Sequence, residues 1–248
     1  MTLGSTILLT ILVFFASALY ASVGHAGASG DIAAMGLLGV PVAAMKPMAL
    51  VLNLFVATIG TIKFKRAGHF SWRLFWPFTI ASVPFAFIGG RITLPANVYR
   101  PLVGVVLLYA AYRLLKTSAD NFESRKPKDV PLFAALGWGA VIGLLSGLTG
   151  VGGGIFLTPL LLLMGWATTR EAAGVSVAFI LANSVAGLAG NLAVVHKIPS
   201  LIWWLIPAAI LGGYLGAEFG SKRLNPTTLR RLLALALVVA SVKMLIPS

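Results

Sequence analysis

The sequence predicts an all-α polytopic membrane protein made of two inverted repeats of about five segments each, with glycine-broken helices or re-entrant hairpins meeting near the membrane midplane. Three observations carry that expectation. Apolar runs long enough to cross a bilayer core, which takes roughly 20 residues, recur along the chain. Charge is confined to short stretches between them, with 58% of the 248 residues hydrophobic and only 10% charged; a soluble domain needs charge over most of its surface. The second half also repeats the first at positions held mostly by Gly, Pro and Asn, the residue types that set backbone geometry or hydrogen bonding where water is absent.

Taken in order, the first segment is expected at 5–22, an apolar run that resembles a signal peptide but lacks its positive leading region and so reads as a retained span. "VGHAGASG" (23–30) interrupts it, and further segments follow at 31–45, 47–62, 74–93 and 98–115. "KTSADNFESRKPKD" (116–129) is the one soluble-looking stretch, so residues 1–115 form the first repeat, 116–130 a cytoplasmic linker and 131–248 the second repeat. The second repeat runs through 132–148, the break at 149–154, and segments 155–168, 172–195, 201–220 and 228–246. Two registers align the halves. An offset of 126 lays "VGHAGAS" on "TGVGGGI" and Gly39 on Gly165; an offset of 130 lays Asn53 on Asn183, Gly60 on Gly190, Pro77 on Pro207 and Gly90 on Gly220.

The net charge of +13 would suggest nucleic acid in a soluble chain, but these cations flank apolar runs and instead set orientation. Lys63, Lys65, Arg66 and Arg73, the linker cations, and Lys222, Arg223, Arg230 and Arg231 share one side, which is therefore cytoplasmic, with both termini outside. Corresponding loops carry opposite loads: 63–73 has four Lys or Arg where 193–203 has only Lys197, and 221–231 has four where 91–101 has two. Such a swap is what an inverted duplication produces.

"LTGVGGGIFLTP" places Gly150, Gly152, Gly153 and Gly154 inside the uncharged stretch 130–169. Glycine costs about 1 kcal/mol relative to alanine in a helix interior, and freed N–H groups find no water in a bilayer. An unwound turn leading into a helix start gathers N–H groups and partial positive charge, a setting for a small anion. Close helix packing is the competing use of such glycines. In the first half Gly24 and Gly27 occupy the matching turn, with His25 and Ser29 as further donors. Asn53 and Asn183 can donate amide hydrogens to an anion or bind a neighbouring helix. His25 and Asp31 are candidates for proton coupling, Asp31 equally for a helix cap. Glu218 is expected to pair with Lys222, and Lys46, Arg170 and Glu171 to gather anions or anchor helix ends. Trp72, Trp76, Trp203 and Trp204 read as an interfacial belt.

"GLTGVGGGIFLTPLL", "GVSVAFILANSVAGLAG" and the variant "YASVGHAGASGDIAAMGLLGVP" resemble the TauE/SafE family of sulfite exporters and toluene-sulfonate uptake permeases, over nearly the whole chain. The resemblance implies a secondary transporter of small sulfur-containing or organic anions such as sulfite, sulfoacetate or other sulfonates, without enzyme activity, in a bacterial or archaeal cytoplasmic membrane. It also implies substrate positions at Gly150, Gly152, Gly153 and Gly154, at Gly24 and Gly27, and at Asn53 and Asn183. Export by alternating access is the leading expectation, with Pro84, Gly89 and Gly90 as flexible points; a passive anion channel and an uptake permease for a different organic anion are the alternatives. No His-Glu-x-x-His, Gly-x-Ser-x-Gly or acidic cluster suggests catalysis, His25, His69 and His196 are scattered, and there is no cysteine. No metal, cofactor or nucleic acid is expected; the partners are the anion, the lipid bilayer and, as an open possibility, a second copy in a homodimer.

Overall fold

A computed structural model describes residues 2–117, 127–192 and 198–222, together with positions 234, 235, 238, 241, 242 and 245. All regular structure among the described residues is helical: α1 (Leu3–Ser22), α2 (Ala28–Leu37), α3 (Val42–Arg66), α4 (Trp72–Arg91), α5 (Ala96–Thr117), α6 (Leu132–Thr149), α7 (Gly154–Leu163), α8 (Thr169–Gly190) and α9 (Ile202–Lys222). By length and composition α1, α3, α6, α8 and α9 can each cross a membrane, so the chain is a multi-pass membrane protein. Most of the expected linker and of the segment 228–246, with His196 and Lys197, lies outside the described residues.

Both interruptions are real and alike. Gly24 and Gly150 follow the first helix of each half with φ of +79° and +81°, and Gly27 and Gly153 precede the next with φ of +101° and +84°, a left-handed backbone that only glycine adopts without strain. The helices that follow, α2 and α7, have 10 residues each, about 15 Å at 1.5 Å per residue, half the hydrocarbon thickness. α2 folds back against α1, with Gly30 against Ala16 and Tyr20, whereas α7 packs on α8 and α5.

The boundary expected near residue 46 falls instead at 38–41, where Gly39 (φ +73°) and Pro41 end α2 and start α3. Pro47 is therefore inside α3, a helix of 25 residues. In the second half Gly165 takes the same turn (φ +68°), and α8 opens on a capping box in which Thr168 and Glu171 satisfy each other's N–H groups.

The halves interlock. The fourth helix of each packs on the first helix of the other, α4 on α6 and α9 on α1, while α3 and α8 cross at the centre. Gly139, Gly143 and Gly147 of α6 rest on the carbonyls of Phe78, Ser82 and Ala86; Gly212, Gly216 and Gly220 of α9 rest on those of Phe14, Ala18 and Ser22. With glycine every fourth residue, backbones approach to distances that a methyl group would block, the packing expected where hydrocarbon offers no hydrophobic drive between helices. Gly89 and Gly90 serve the same purpose, pressed on Leu144 and Gly187, rather than acting as free hinge points. One buried core joins α1, α2 and α3 to Leu205, Ala209 and Ala217 of α9; the other joins α7 and α8 to Leu74 and Phe78 of α4.

The α3–α8 crossing is antiparallel: Gly60 meets Val177 and Leu50 meets Gly187. These two contacts exchange under an offset of 127 (60 to 187, 50 to 177), which also relates the starts of α3 and α8 (42 to 169). The offset of 130 holds only from α4 and α9 onward (72 to 202), the extra residues falling in the α8–α9 connection. Under the offset of 127 that these contacts share, Asn53 falls on Ile180 and Asn183 on Val56, rather than on each other as the offset of 130 expects.

Candidate functional site

The second break forms the richer donor cluster. Gly152 and Gly153 both have φ of +84° and lead into α7, whose N-terminus has no side-chain cap. Phe156 and Leu157 donate to the Gly153 carbonyl; the N–H groups of Gly153, Gly154 and Ile155 precede any intrahelical acceptor, as at every helix start. The position a side chain on Gly152 would take is 2.8 Å from Nδ2 of Asn53, and that on Gly153 is 3.4 Å from Nδ2 of Asn183. Glycine here both permits the turn and makes room for two amides, one from each half of the chain.

Two serines that the sequence reading passed over orient those amides. Ser82 of α4 donates to Oδ1 of Asn183 at 2.7 Å, which leaves the buried Nδ2 without a partner on the side of Gly153. Asn53 Nδ2 donates to Ser184 Oγ at 3.2 Å, and its Oδ1 has no partner. Polar side chains inside otherwise apolar segments were the available signal; their pairing required the helix crossings. Asn53, Asn183, Ser82 and Ser184 are each 0% exposed. The turn is braced from outside by Tyr99 of α5, whose hydroxyl donates to the Thr149 carbonyl at 2.7 Å. Neutral amide donors beside an uncapped helix N-terminus are the chemistry that suits a small oxyanion.

Lys46 anchors instead of gathering anions at a mouth. Its ammonium donates to the carbonyls of Gly89, Gly90 and Ile92 at 3.1, 3.0 and 2.9 Å, closing the C-terminus of α4. Gly150 packs on the Lys46 backbone, and Gly24 packs correspondingly on Ala173, so each break touches the start of the other half's third helix.

The first break has a different chemistry. His25 and Ser29 are buried, and the His25 ring stands edge-on to Tyr20 with centroids 6.5 Å apart. The cap of α2 is Gly27, with no side-chain hydrogen bond, so Asp31 does not act as an N-cap; its carboxylate is buried with no hydrogen-bond partner. The nearest neighbours of Gly24 and Gly27 are Ala173, and Ser17 with Asp31, in place of the asparagines at the second break. The two breaks share one buried cluster, which includes Ala26 and Ala28 from the first and Val151 and Ile155 from the second.

At the end of α3, Lys63 pairs with Glu218 of α9; the Lys222 side chain expected opposite Glu218 lies outside the described residues. Glu171 is an anchor within the α8 capping box. His69, in the α3–α4 connection, is held below its ordinary value of 6.5 by partial burial and then by the nearby Arg170 charge. Trp72, Trp76, Trp203 and Trp204 are exposed. A groove of about 730 Å³ between Phe14 and Phe15 of α1 and Trp203 and Trp204 of α9 is apolar and on the outer surface, away from both breaks.

Comparison with known proteins agrees with this architecture. Residues 9–244 match the family described as "Sulfite exporter TauE/SafE". A "Probable membrane transporter protein", y4hK, of Sinorhizobium fredii is 43% identical over 238 residues, covering 94% of this chain and 96% of that protein. A protein of the same description from Methanocaldococcus jannaschii is 27% identical over 212 residues (78% and 77%), and YunE of Bacillus subtilis is 26% identical over 194 residues (69% and 68%). No solved structure matches.

Proposed function

The chain belongs to the sulfite exporter TauE/SafE family of membrane transporters, and from that premise we propose that it exports a small sulfur oxyanion or sulfonate across a bacterial or archaeal cytoplasmic membrane by alternating access. The observation that carries the reading is the convergence of the Asn53 and Asn183 amides on the uncapped start of α7 at Gly152–Gly154. Neutral donors suit a carrier, which must release what it binds. The first break, with Gly24, His25, Gly27 and Ser29, supplies the opposite wall and, through His25 or Asp31, a link to an ion gradient. The antiparallel run of α3 against α8 supports an inverted relation of the halves. On that topology the loop 67–71, the linker and the end of α9 face the cytoplasm and both termini face outward, in line with the cation distribution.

Full burial of both asparagines favours a carrier over a passive channel, because an anion reaches them only when packed helices separate. The test is binding to purified protein across sulfite, thiosulfate, sulfate, sulfoacetate and a carboxylate, followed by counterflow in proteoliposomes. Tightest binding by sulfite or a sulfonate, with saturable counterflow, is expected. Preference for the carboxylate would remove the sulfur assignment; flux without saturation or counterflow would replace the carrier with a pore.

A further inference from the structure

We propose that the first break is a binding site for a monovalent coupling cation, a proton or Na⁺, held between Ser17, Tyr20 and Asp31, so that the two halves of the duplication divide the work: cation in the first, anion in the second. The role in transport rests on the anion reading above; the binding of a cation does not.

Asp31 is 0% exposed, and neither of its carboxylate oxygens has a hydrogen-bond partner. Ser17 Oγ and the Tyr20 hydroxyl, one helical turn apart on α1, are likewise buried and unpartnered. Two of these groups meet at Gly27: the position a side chain there would occupy is 3.3 Å from Ser17 Oγ and 3.4 Å from Asp31 Oδ2. The buried carboxylate and hydroxyls make this a site of oxygens, in contrast to the amide donors at the second break.

An ionised carboxylate without compensation is among the most expensive groups to bury, and among the described residues no lysine or arginine on the helices packed most closely on α2 supplies it. Those helices are α1 and α3. α1 carries no charged residue; on α3, the Lys46 ammonium is committed to the carbonyls closing α4, and Lys63, Lys65 and Arg66 lie at the far end, Lys63 paired with Glu218. The other titratable group at the break, His25, stands edge-on to Tyr20. The charge on Asp31 is therefore matched by a cation from solution, bound as the neutral acid or as Na⁺ on the carboxylate and hydroxyl oxygens. The counterparts of Ser17, Tyr20 and Asp31 at an offset of 126 are Gly143, Ser146 and Leu157, so the second break has no acid. A cation at one break and an anion at the other, within one buried cluster, attract each other through a medium of low dielectric, and each raises the other's affinity.

The experiment uses the purified full-length protein without added sulfur anion. Thermal stability is titrated with NaCl against choline chloride, and infrared spectra are taken for the carbonyl band of a buried protonated carboxylic acid, in wild type, Asp31→Asn, Ser17→Ala and Tyr20→Phe. Na⁺-specific stabilisation identifies Na⁺ and the acid band identifies the proton; Asp31→Asn abolishes whichever is present. Ser17→Ala and Tyr20→Phe weaken the Na⁺ response by about tenfold in half-saturating concentration, or displace the acid band, and they decide the matter if Asp31→Asn does not fold. Absence of both signals in wild type, or a signal that persists unchanged in Asp31→Asn or in both hydroxyl variants, overturns the proposal. Anion binding without a cation signal would refute this site alone, and a cation signal without anion binding would refute the anion reading alone.

Discussion

Replacing Asn183 with alanine tests the donor cluster at the side chain whose free amide is turned toward Gly153. In the native arrangement Ser82 holds Oδ1 at 2.7 Å and Nδ2 is left unpartnered. A hydrogen bond from that amide to an ionised ligand is worth about 1.5–3 kcal/mol, so sulfite affinity should fall roughly 10- to 150-fold. The substitution also strands the Ser82 hydroxyl, a buried polar group whose lost partner costs about 1–3 kcal/mol of stability. The two effects separate through Ser82→Ala, which leaves the Asn183 donor in place: it should lower stability while changing affinity much less. Asn183→Asp should weaken binding beyond the alanine variant, since it sets a negative charge against the anion. Calorimetric or radioligand binding to protein in detergent, read beside Tm, distinguishes these outcomes. Sulfite affinity within threefold of wild type in Asn183→Ala would refute the argument that this amide faces the ligand.

Three further outcomes follow from the geometry. Gly152→Ala puts a methyl group in a left-handed backbone (φ +84°) at 2.8 Å from the Asn53 amide; strain of about 1–2 kcal/mol and overpacking of about 1–3 kcal/mol should lower Tm and weaken sulfite binding together, and an unaffected affinity would separate Asn53 from the site. Lys46→Met leaves the carbonyls of Gly89, Gly90 and Ile92 without their donor, with an expected loss of about 1–3 kcal/mol after allowing for the relief of burying a charge; an unchanged unfolding temperature would show that α4 closes without it. His69 takes up a proton less readily in the folded protein than its ordinary value of 6.5 implies, so the unfolded chain binds the proton first as pH falls, and stability is lost through the window below that value and is present above it. His69→Gln should flatten this part of the Tm–pH curve, and an identical slope in the variant would assign it to other groups.

Much of the architecture follows from residue types alone. A backbone in hydrocarbon has to satisfy its own hydrogen bonds, so long apolar runs become helices wherever they occur, and the helix ends at Gly24, Gly27, Gly150 and Gly153 were legible because positive φ selects glycine. The donor character of Asn53 and Asn183 was equally plain. What the sequence leaves open is where such groups point. Sliding a helix by three residues turns it by about 300° and moves it about 4.5 Å, close enough to a full turn that an alignment at 130 preserves the apolar face while displacing every contact along it. Only the crossing of α3 with α8, whose contacts exchange under an offset of 127, brought both asparagines to the same break. The exchange of fourth helices between halves, the capture of the Lys46 ammonium by α4 and the isolation of Asp31 beside Ser17 have the same origin: each joins residues far apart in the chain, and packing against a distant helix leaves no local pattern in the residues that perform it.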